Sequence, residues 1–234
     1  MDRRDFIVTA FAAGSADLIA ASPSFCADLD NTDQPTVPPP KHARVLFDGS
    51  SLIGWVSGGG ESPGWKLKDG YAEVVPGSGN IHTREDFTDF QLHVEFWLPL
   101  MADATGQGRA NSGVYLQGLY EVQVLDSYGL DSRNNDCGAI YEVAPPLRNA
   151  CKRPERWQTY DIAFKAPRFD VSGQLKETGK ITVLHNGIVI QHAQEVARPT
   201  RAAMKRDPAK PGPVMLQDHG NAVRYRNIWL IPIG

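Results

Sequence analysis

The stretch Tyr120-Glu121-Val122-Gln123-Val124-Leu125-Asp126 alternates between polar and apolar side chains. Because successive side chains of a β-strand point to opposite faces, Glu121 and Gln123 share one face and Val122 and Val124 share the other. Such a strand is typical of an antiparallel sheet with one face on a core and the other face polar. The sequence therefore predicts a polar sheet face here, which is either a solvent side or a binding surface.

Two further segments repeat this alternation, at Gln91–Leu98 and at Asn111–Gln117. Their polar rows consist of Gln91, His93, Glu95 and Trp97 in the first segment and of Tyr115 and Gln117 in the second. Surface rows usually hold Lys, Thr and Ser, whereas these rows hold the carboxylate, imidazole, amide and aromatic groups that grip sugars. We therefore predict that three neighbouring strands present one carbohydrate-binding face, with an ordinary solvent side as the alternative.

Composition narrows the class of partner. The chain has 234 residues, a net charge of -3, 41% hydrophobic residues and 22% charged residues, as in an ordinary globular protein. This charge argues against a nucleic-acid or anionic-membrane surface, and no apolar run reaches the roughly 18 residues of a membrane span. We expect a small carbohydrate partner.

The N-terminus is typical of an export signal. Asp2-Arg3-Arg4-Asp5-Phe6-Ile7 precedes a weakly apolar, Ala-rich stretch at Val8–Ala21. We predict that residues 1–27 direct export by the twin-arginine route, to the periplasm or the exterior. Asp17 interrupts the apolar stretch, and the alternative is an amphipathic helix that stays attached.

Residues 28–40 are predicted to be a Pro-rich spacer, since Pro38-Pro39-Pro40 fits neither helix nor central strand. Residues 41–234 then form one domain. In this domain Cys137 and Cys151 either form a disulfide, worth roughly 3 kcal/mol for a loop of about 15 residues, or remain buried thiols. No cysteine spacing of the zinc-binding type is present.

The domain is predicted to be all-β. From Arg44 onward, short alternating segments are cut by Gly, Pro, Asn and Asp, and no helical periodicity extends beyond two turns. Many strands without helices indicate a two-sheet sandwich or jelly roll. Asn186-Gly187 predicts a hairpin, because both central residues of its tight turn need positive φ. The loops Met101–Arg109 and Ser127–Asp136 are expected to wall a cleft.

Two constellations could carry chemistry. Glu121-x-Gln123-x-x-Asp126 resembles the E-x-D-x-x-E run of laminarinase-like retaining hydrolases, in which a bulge brings the last carboxylate onto the same face. The Gln and the shorter Asp argue against that ordinary mechanism. His219, in a turn beside Asp218, could act as base, acid or metal ligand, or could simply be solvated.

Several motifs in order resemble the 3-keto-disaccharide hydrolase domain family, long catalogued as a domain of unknown function. They span about residues 44–232 and are Phe47-Asp48-Gly49 with Leu52-x-Gly54-Trp55, Asn111–Tyr115, Tyr120–Asp126, Gly138–Tyr141, Trp157–Asp161, and Leu216–Gly220 with Arg226-Asn227-Ile228. The resemblance implies a concanavalin-like jelly roll of two antiparallel sheets. It also implies bacterial, mostly exported proteins that act on sugars oxidised at C3. The alternative is a jelly roll that binds carbohydrate without catalysis.

A C3 keto group makes the C2 hydrogen acidic, so one base, one electrophile and one acid suffice for elimination followed by hydration. The expected catalytic residues are Glu121, His219 and Glu95, with Glu121 or His219 as the base and Arg226 or a divalent cation on the enolate. The expected substrate-binding residues are Gln123, Asn111, Tyr115, Asp126, Tyr141, Arg226 and Trp97. No cofactor is certain, and candidate ligands for a divalent metal ion are Glu121, His93 and His219.

Overall fold

The computed structural model describes residues 32–233, so the predicted export signal lies outside the described residues. Within them the chain is built from strands and one short 3-10 turn, Gly106–Gly108. The strands are β1 Arg44–Phe47, β2 Trp55–Ser57, β3 Lys66–Lys68, β4 Tyr71–Glu73, β5 Ile81–Thr83, β6 Asp89–Trp97, β7 Ser112–Leu116, β8 Tyr120–Val124, β9 Trp157–Lys165, β10 Arg168–Phe169, β11 Leu175–Glu177, β12 Gly179–His185, β13 Ile188–Val196, β14 Met215–Leu216 and β15 Arg224–Ile233.

These strands form two main antiparallel sheets. The larger sheet runs β13-β12-β9-β6-β15-β4-β3, with β1 also paired to β15, and the smaller runs β2-β5-β14-β7-β8. Strands β10 and β11 form a separate ribbon. The predicted all-β jelly-roll sandwich is confirmed.

The core lies between the two sheets. Leu92, Val94 and Phe96 of β6 are almost fully buried in the same cluster as Val114 of β7 and Val122 of β8. Since each strand alternates, the polar side chains of β6 lie on the outer face of the larger sheet, and those of β7 and β8 lie on the outer face of the smaller sheet.

The prediction that the three polar rows form one face is therefore wrong. Strand β6 pairs with β9 and β15, whereas β7 and β8 pair with each other in the other sheet. Alternation assigns the two faces within a strand, but it carries no information about which distant strand is the hydrogen-bonding partner.

The predicted hairpin is confirmed. Strands β12 and β13 pair around Asn186 and Gly187, whose φ angles are 53° and 81°. Among residues 32–233 no helix is long and apolar enough to cross a membrane.

Residues 32–40, which fall in the predicted spacer, form neither helix nor strand but contact the outer face of the larger sheet. Asp33 Oδ1 accepts a hydrogen bond from Trp157 N at 2.9 Å. The carbonyl oxygen of Val37 accepts from Asn227 Nδ2 at 2.8 Å and from Trp229 Nε1 at 3.2 Å. This N-terminal segment (residues 32–40) is therefore tied to β9 and β15.

Candidate functional site

A buried carboxyl and a buried phenol pair on the outer face of the smaller sheet. Tyr115 on β7 lies opposite Glu121 on β8, and Tyr115 Oη donates a hydrogen bond to Glu121 Oε2 at 2.8 Å. Gln217 Nε2, just past β14, donates to Tyr115 Oη at 3.1 Å. Adjacent strands thus fix the carboxyl through a chain of hydrogen bonds.

Gly113 makes room for this carboxyl. A Cβ atom at position 113 would lie 2.4 Å from Glu121 Oε1 and 3.0 Å from Tyr115 Cε2. Gly113 does not have a left-handed φ, so the space above the strand, rather than backbone conformation, requires glycine here. The Glu121 carboxyl lies over the neighbouring strand because that strand lacks a side chain at this point.

The surroundings of Glu121 change its acidity. Burial raises the pKa of its carboxyl to about 8, the hydrogen bond from Tyr115 opposes this rise, and the nearby Glu142 carboxylate adds to it. Burial and the Glu121 charge likewise raise the pKa of Tyr115, so the phenol stays protonated. A carboxyl with a pKa of about 8 can take up and release a proton near neutral pH.

Amide side chains extend the site beyond Glu121. Gln123 lies two residues further along β8 on the same face, and its Nε2 donates to Gln107 Oε1 at 3.0 Å. Asn111 Nδ2 also donates to Gln107 Oε1, at 3.1 Å. Asn111 Oδ1 and Gln217 Oε1 are buried acceptors without a hydrogen-bond partner. Such atoms favour a ligand that brings hydroxyl donors.

Two chain segments cover the carboxyl, which is only 2% exposed. Arg201 O lies 3.3 Å from Tyr115 Oη, and Arg201 Nη1 forms an ion pair with Glu142 Oε1 at 3.2 Å. Tyr141, half-buried in the same covering segment as Glu142, donates its backbone N–H to the Glu121 carbonyl at 3.2 Å. In this arrangement Glu121 has almost no contact with solvent.

Asp126 does not join Glu121. The β7–β8 ladder runs without a register shift to its last pair, Ser112 with Val124, so within this ladder no bulge brings Asp126 towards Glu121. Asp126 Oδ2 instead accepts from Arg109 Nε and Nη2 at 3.1 and 2.7 Å. Both side chains line a cavity of about 530 Å³ that opens beyond the end of β8.

Glu95 belongs to a separate network on the outer face of the larger sheet. Its Oε2 accepts from Arg226 Nε at 2.6 Å, and its Oε1 accepts from Asn227 Nδ2 at 2.7 Å. Thr36 of the N-terminal segment adds a hydrogen bond at 3.2 Å. Burial alone would raise the pKa of Glu95, but bonds from His93, Asn227 and Arg226 outweigh it and lower that pKa to about 2.

His93 completes this network. Its Nδ1 lies 2.6 Å from Asp161 Oδ1, and its Nε2 lies 3.5 Å from Glu95 Oε1. Burial lowers the pKa of His93, but the bonds to both carboxylates outweigh that effect and raise it overall. The ring stacks on Trp229 with centroids 4.8 Å apart.

The expectation that Arg226 or Glu95 acts on the same sugar as Glu121 is therefore wrong. Both lie on the outer face of the larger sheet, with the core between them and Glu121. Trp97 lies on this opposite face too, with the Arg224 guanidinium 3.9 Å from its ring centroid.

His219 is exposed in the turn after β14. The Asp218 carboxylate bonds the backbone N–H groups of Gly79 and Gly220, each at 2.9 Å. Nothing in residues 32–233 groups three or more His, Cys, Asp or Glu side chains in a way that could hold a metal ion. The candidate ligands Glu121, His93 and His219 do not converge, since they lie on one outer face, on the opposite outer face and in an exposed turn.

The sequence predicted that one site contains five residues that the structure places around the buried carboxyl: Glu121, Tyr115, Gln123, Asn111 and Tyr141. It did not predict the other residues of this site. Gln217 could have been found, because it follows the apolar Leu216 in the motif Leu216–Gly220. Gly113, Glu142 and Arg201 gave no local signal, since their roles depend on what lies opposite them in the folded chain.

Comparison with known proteins gives a family and a fold. A family model described as the 3-keto-alpha-glucoside-1,2-lyase-like domain matches residues 42–231. A crystal structure of a candidate glycosyl hydrolase from Parabacteroides distasonis ATCC 8503 is 32% identical, covering 92% of this chain and 100% of that chain with a TM-score of 0.77. A second from the same organism, 18% identical over 83% of this chain and 95% of that chain, shares the fold with a TM-score of 0.58. No curated protein matches.

Proposed function

Because the chain belongs to the 3-keto-alpha-glucoside-1,2-lyase-like domain family, we propose that it cleaves 3-keto-glycosides or 3-keto-disaccharides. The family and the relatives described as glycosyl hydrolases support a carbohydrate-processing function. The observation that carries the finer proposal is the buried Glu121, which combines a pKa of about 8 with a hydrogen bond to Tyr115 and two unpartnered amide acceptors nearby.

The proposed reaction is elimination followed by hydration. A base removes the proton on C2, and the electrons of the C–H bond form an enolate with the C3 oxygen. Collapse of the enolate makes the C1–C2 double bond and breaks the bond from C1 to the leaving oxygen, which takes up a proton. Water then adds across the double bond, so the net result is hydrolysis without a glycosyl-enzyme.

Glu121 is the proposed base. A hydrogen next to a ketone is a weak acid, and a carboxylate with a pKa of about 8 is a stronger base than an ordinary carboxylate. After accepting the proton, Glu121 is the neutral acid that its buried surroundings favour, and this acid can protonate the leaving oxygen. One residue can thus serve both proton transfers.

Neighbouring groups position the carboxyl and the sugar. Tyr115 holds one oxygen of Glu121, and Gln217 holds the phenol in turn. The free acceptors of Asn111 and Gln217 suit sugar hydroxyl groups. Arg201 supplies a cation over this face, in place of the more distant Arg226, once it leaves Glu142.

The proposal includes export to the periplasm or exterior, supported by Arg3-Arg4 and the apolar stretch that follows.

The direct test is cleavage of a 3-keto-glucoside compared with its unoxidised parent, followed as aglycone release by the purified chain. We expect cleavage of the keto sugar only. Glu121→Gln should lower turnover by about 10²- to 10⁴-fold, the range for loss of a general base, while Glu61→Gln, at an exposed position, should leave it unchanged.

Two results would redirect the proposal. Cleavage of the parent glycoside would indicate a hydrolase that needs no keto group. Binding of either sugar without cleavage, unaffected by Glu121→Gln, would indicate a carbohydrate-binding jelly roll.

A further inference from the structure

Two thiols meet in the core behind the candidate site. Cys137 and Cys151 are 2% and 6% exposed and belong to the main hydrophobic cluster. Both are free thiols. Cys137 Sγ lies 3.1 Å from Tyr160 Oη, which donates to Gln123 O, and Cys151 Sγ donates to Leu125 O at 3.7 Å, so both thiols lie against the same short stretch of chain. Neither has a role in the proposed chemistry.

The same short stretch of chain holds both cysteines in place. Ser127 Oγ accepts from Cys137 N at 2.9 Å, and Leu125 O accepts from Cys151 Sγ at 3.7 Å. Asn149 links the two sides, because its Oδ1 accepts from Cys151 N at 2.9 Å and its Nδ2 donates to Ser127 O at 2.6 Å. The Ser127 and Asn149 side chains thus hold the backbone at both cysteines against the same stretch of chain.

The segment between the cysteines borders the Glu121 strand. Gly138 N donates to Gln123 O at 2.9 Å, and Gln123 N donates to Ala139 O at 3.0 Å. Strand β8 is an edge of the smaller sheet, so residues 138–144 cover that edge and carry Tyr141 and Glu142 over the site. A bond between the cysteines would close the loop from residue 137 to residue 151, which contains this covering segment.

We propose that Cys137 and Cys151 are oxidised to an intramolecular disulfide that staples the covering segment beside Glu121. The oxidant is a disulfide reagent or enzyme. One cysteine thiolate attacks the oxidant's S–S bond to form a mixed disulfide, and the second cysteine displaces the remaining oxidant sulfur. One S–S bond forms and one breaks, and the two thiol protons pass to the two sulfurs of the reduced oxidant.

Oxidation costs only the contact between the Cys137 thiol and a neighbouring hydroxyl. Cys137 Sγ lies 3.1 Å from Tyr160 Oη, but that hydroxyl also donates to Gln123 O at 2.7 Å and keeps this bond. A disulfide is compact and apolar, so it suits a site surrounded by Leu125, Tyr160 and the rest of the core cluster.

Peptide mapping of the full chain tests the proposal. The protein is incubated with oxidised glutathione, blocked with N-ethylmaleimide in denaturant, and digested with trypsin without reduction. Cleavage after Arg133, Arg148 and Lys152 places the two cysteines in separate peptides, Asn134–Arg148 and Asn149–Lys152. We expect these peptides to be linked to each other. Maleimide on both cysteines, or a link from either to Cys26, would overturn the proposal.

Thermal unfolding gives a second readout. The oxidised chain should unfold at a higher temperature than the same chain in reductant, by a shift on the order of 5 °C. Cys151→Ala should show no dependence on reductant. A reductant effect of equal size in Cys151→Ala, or none in the oxidised parent, would contradict a stapling disulfide.

Discussion

Glu121 and Glu95 are the same residue type, and both are buried, yet the pKa of one is raised to about 8 and that of the other is lowered to about 2. Glu95 accepts hydrogen bonds from a guanidinium, an amide and a hydroxyl, which stabilise its charge. The Glu121 carboxyl accepts a hydrogen bond from the neutral Tyr115, and Glu142 repels its charge. Environment therefore gives one glutamate a structural role and leaves the other suited to proton transfer.

The pH dependence of catalysis follows from the proposed base. Because Glu121 must be ionised to remove the C2 proton, kcat/KM should rise with pH and level off above about 8. Glu142→Gln removes the repelling charge, so it should lower the pKa of Glu121 and move the rising limb to lower pH. Glu61→Gln is the control, and a limb that stays in place in Glu142→Gln would show that another group titrates.

Gly113→Ala tests the space above the strand. The new methyl group would lie 2.4 Å from Glu121 Oε1, so the carboxyl must shift. We expect kcat/KM to fall by about 100-fold, the effect of a displacement near 1 Å. Gly58→Ala is the matched control, since nothing lies within 4 Å of its added Cβ. Equal activity of both variants would mean that the position of Glu121 does not matter.

At the scale of elements, alternation predicted which side chains of a strand share a face but not which sheet the strand joins. Val122 and Glu121 were correctly placed on opposite faces of β8, as were Val94 and Glu95 on β6. The pairing of β6 with β9 and β15 depends on residues 60 or more positions away along the chain, and no local pattern encodes it. The sequence thus grouped the residues around Glu121, but it added to them residues that lie on the other sheet.

The N-terminal segment and β15 are joined through Glu95, so this carboxylate should matter for stability. Glu95→Gln should cost about 3 kcal/mol of unfolding free energy, because Arg226 loses its buried partner. Glu73→Gln is the control on the same face, because its ion pair with Arg224 is partly exposed and should cost less. Urea denaturation measures both, and equal losses would contradict a buried role for Glu95.

In the whole molecule, the core lies between two polar outer faces, one with Glu121 and the other with Glu95. The two carboxyls then give opposite pH dependences of stability. The raised pKa of Glu121 means that its folded, neutral form is favoured at low pH, and this stability is lost as pH rises from about 4.5 through about 8. The lowered pKa of Glu95 means that its contribution is present above about 4.5 and is lost as pH falls through about 2.

Denaturation at pH 5 and pH 9 isolates the contribution of Glu121, because that of Glu95 is fully present at both pH values. The Glu121→Gln variant should have a larger free energy of unfolding than the parent at pH 9 but not at pH 5, because glutamine carries no charge into the site. In the double variant Glu121→Gln/Glu95→Gln, the changes in unfolding free energy of the two single variants should add, because the core separates the positions. A strong coupling between them would contradict two independent faces.

Proton removal from C2 by Glu121 is tested most directly by a single-turnover comparison of a 3-keto-glucoside carrying hydrogen or deuterium at C2. Aglycone release should be slower for the deuterated sugar in the parent protein, because the C2 bond breaks before or with the C1 bond. Equal rates for the two sugars, with Glu121→Gln as active as the parent, would contradict Glu121 as the base.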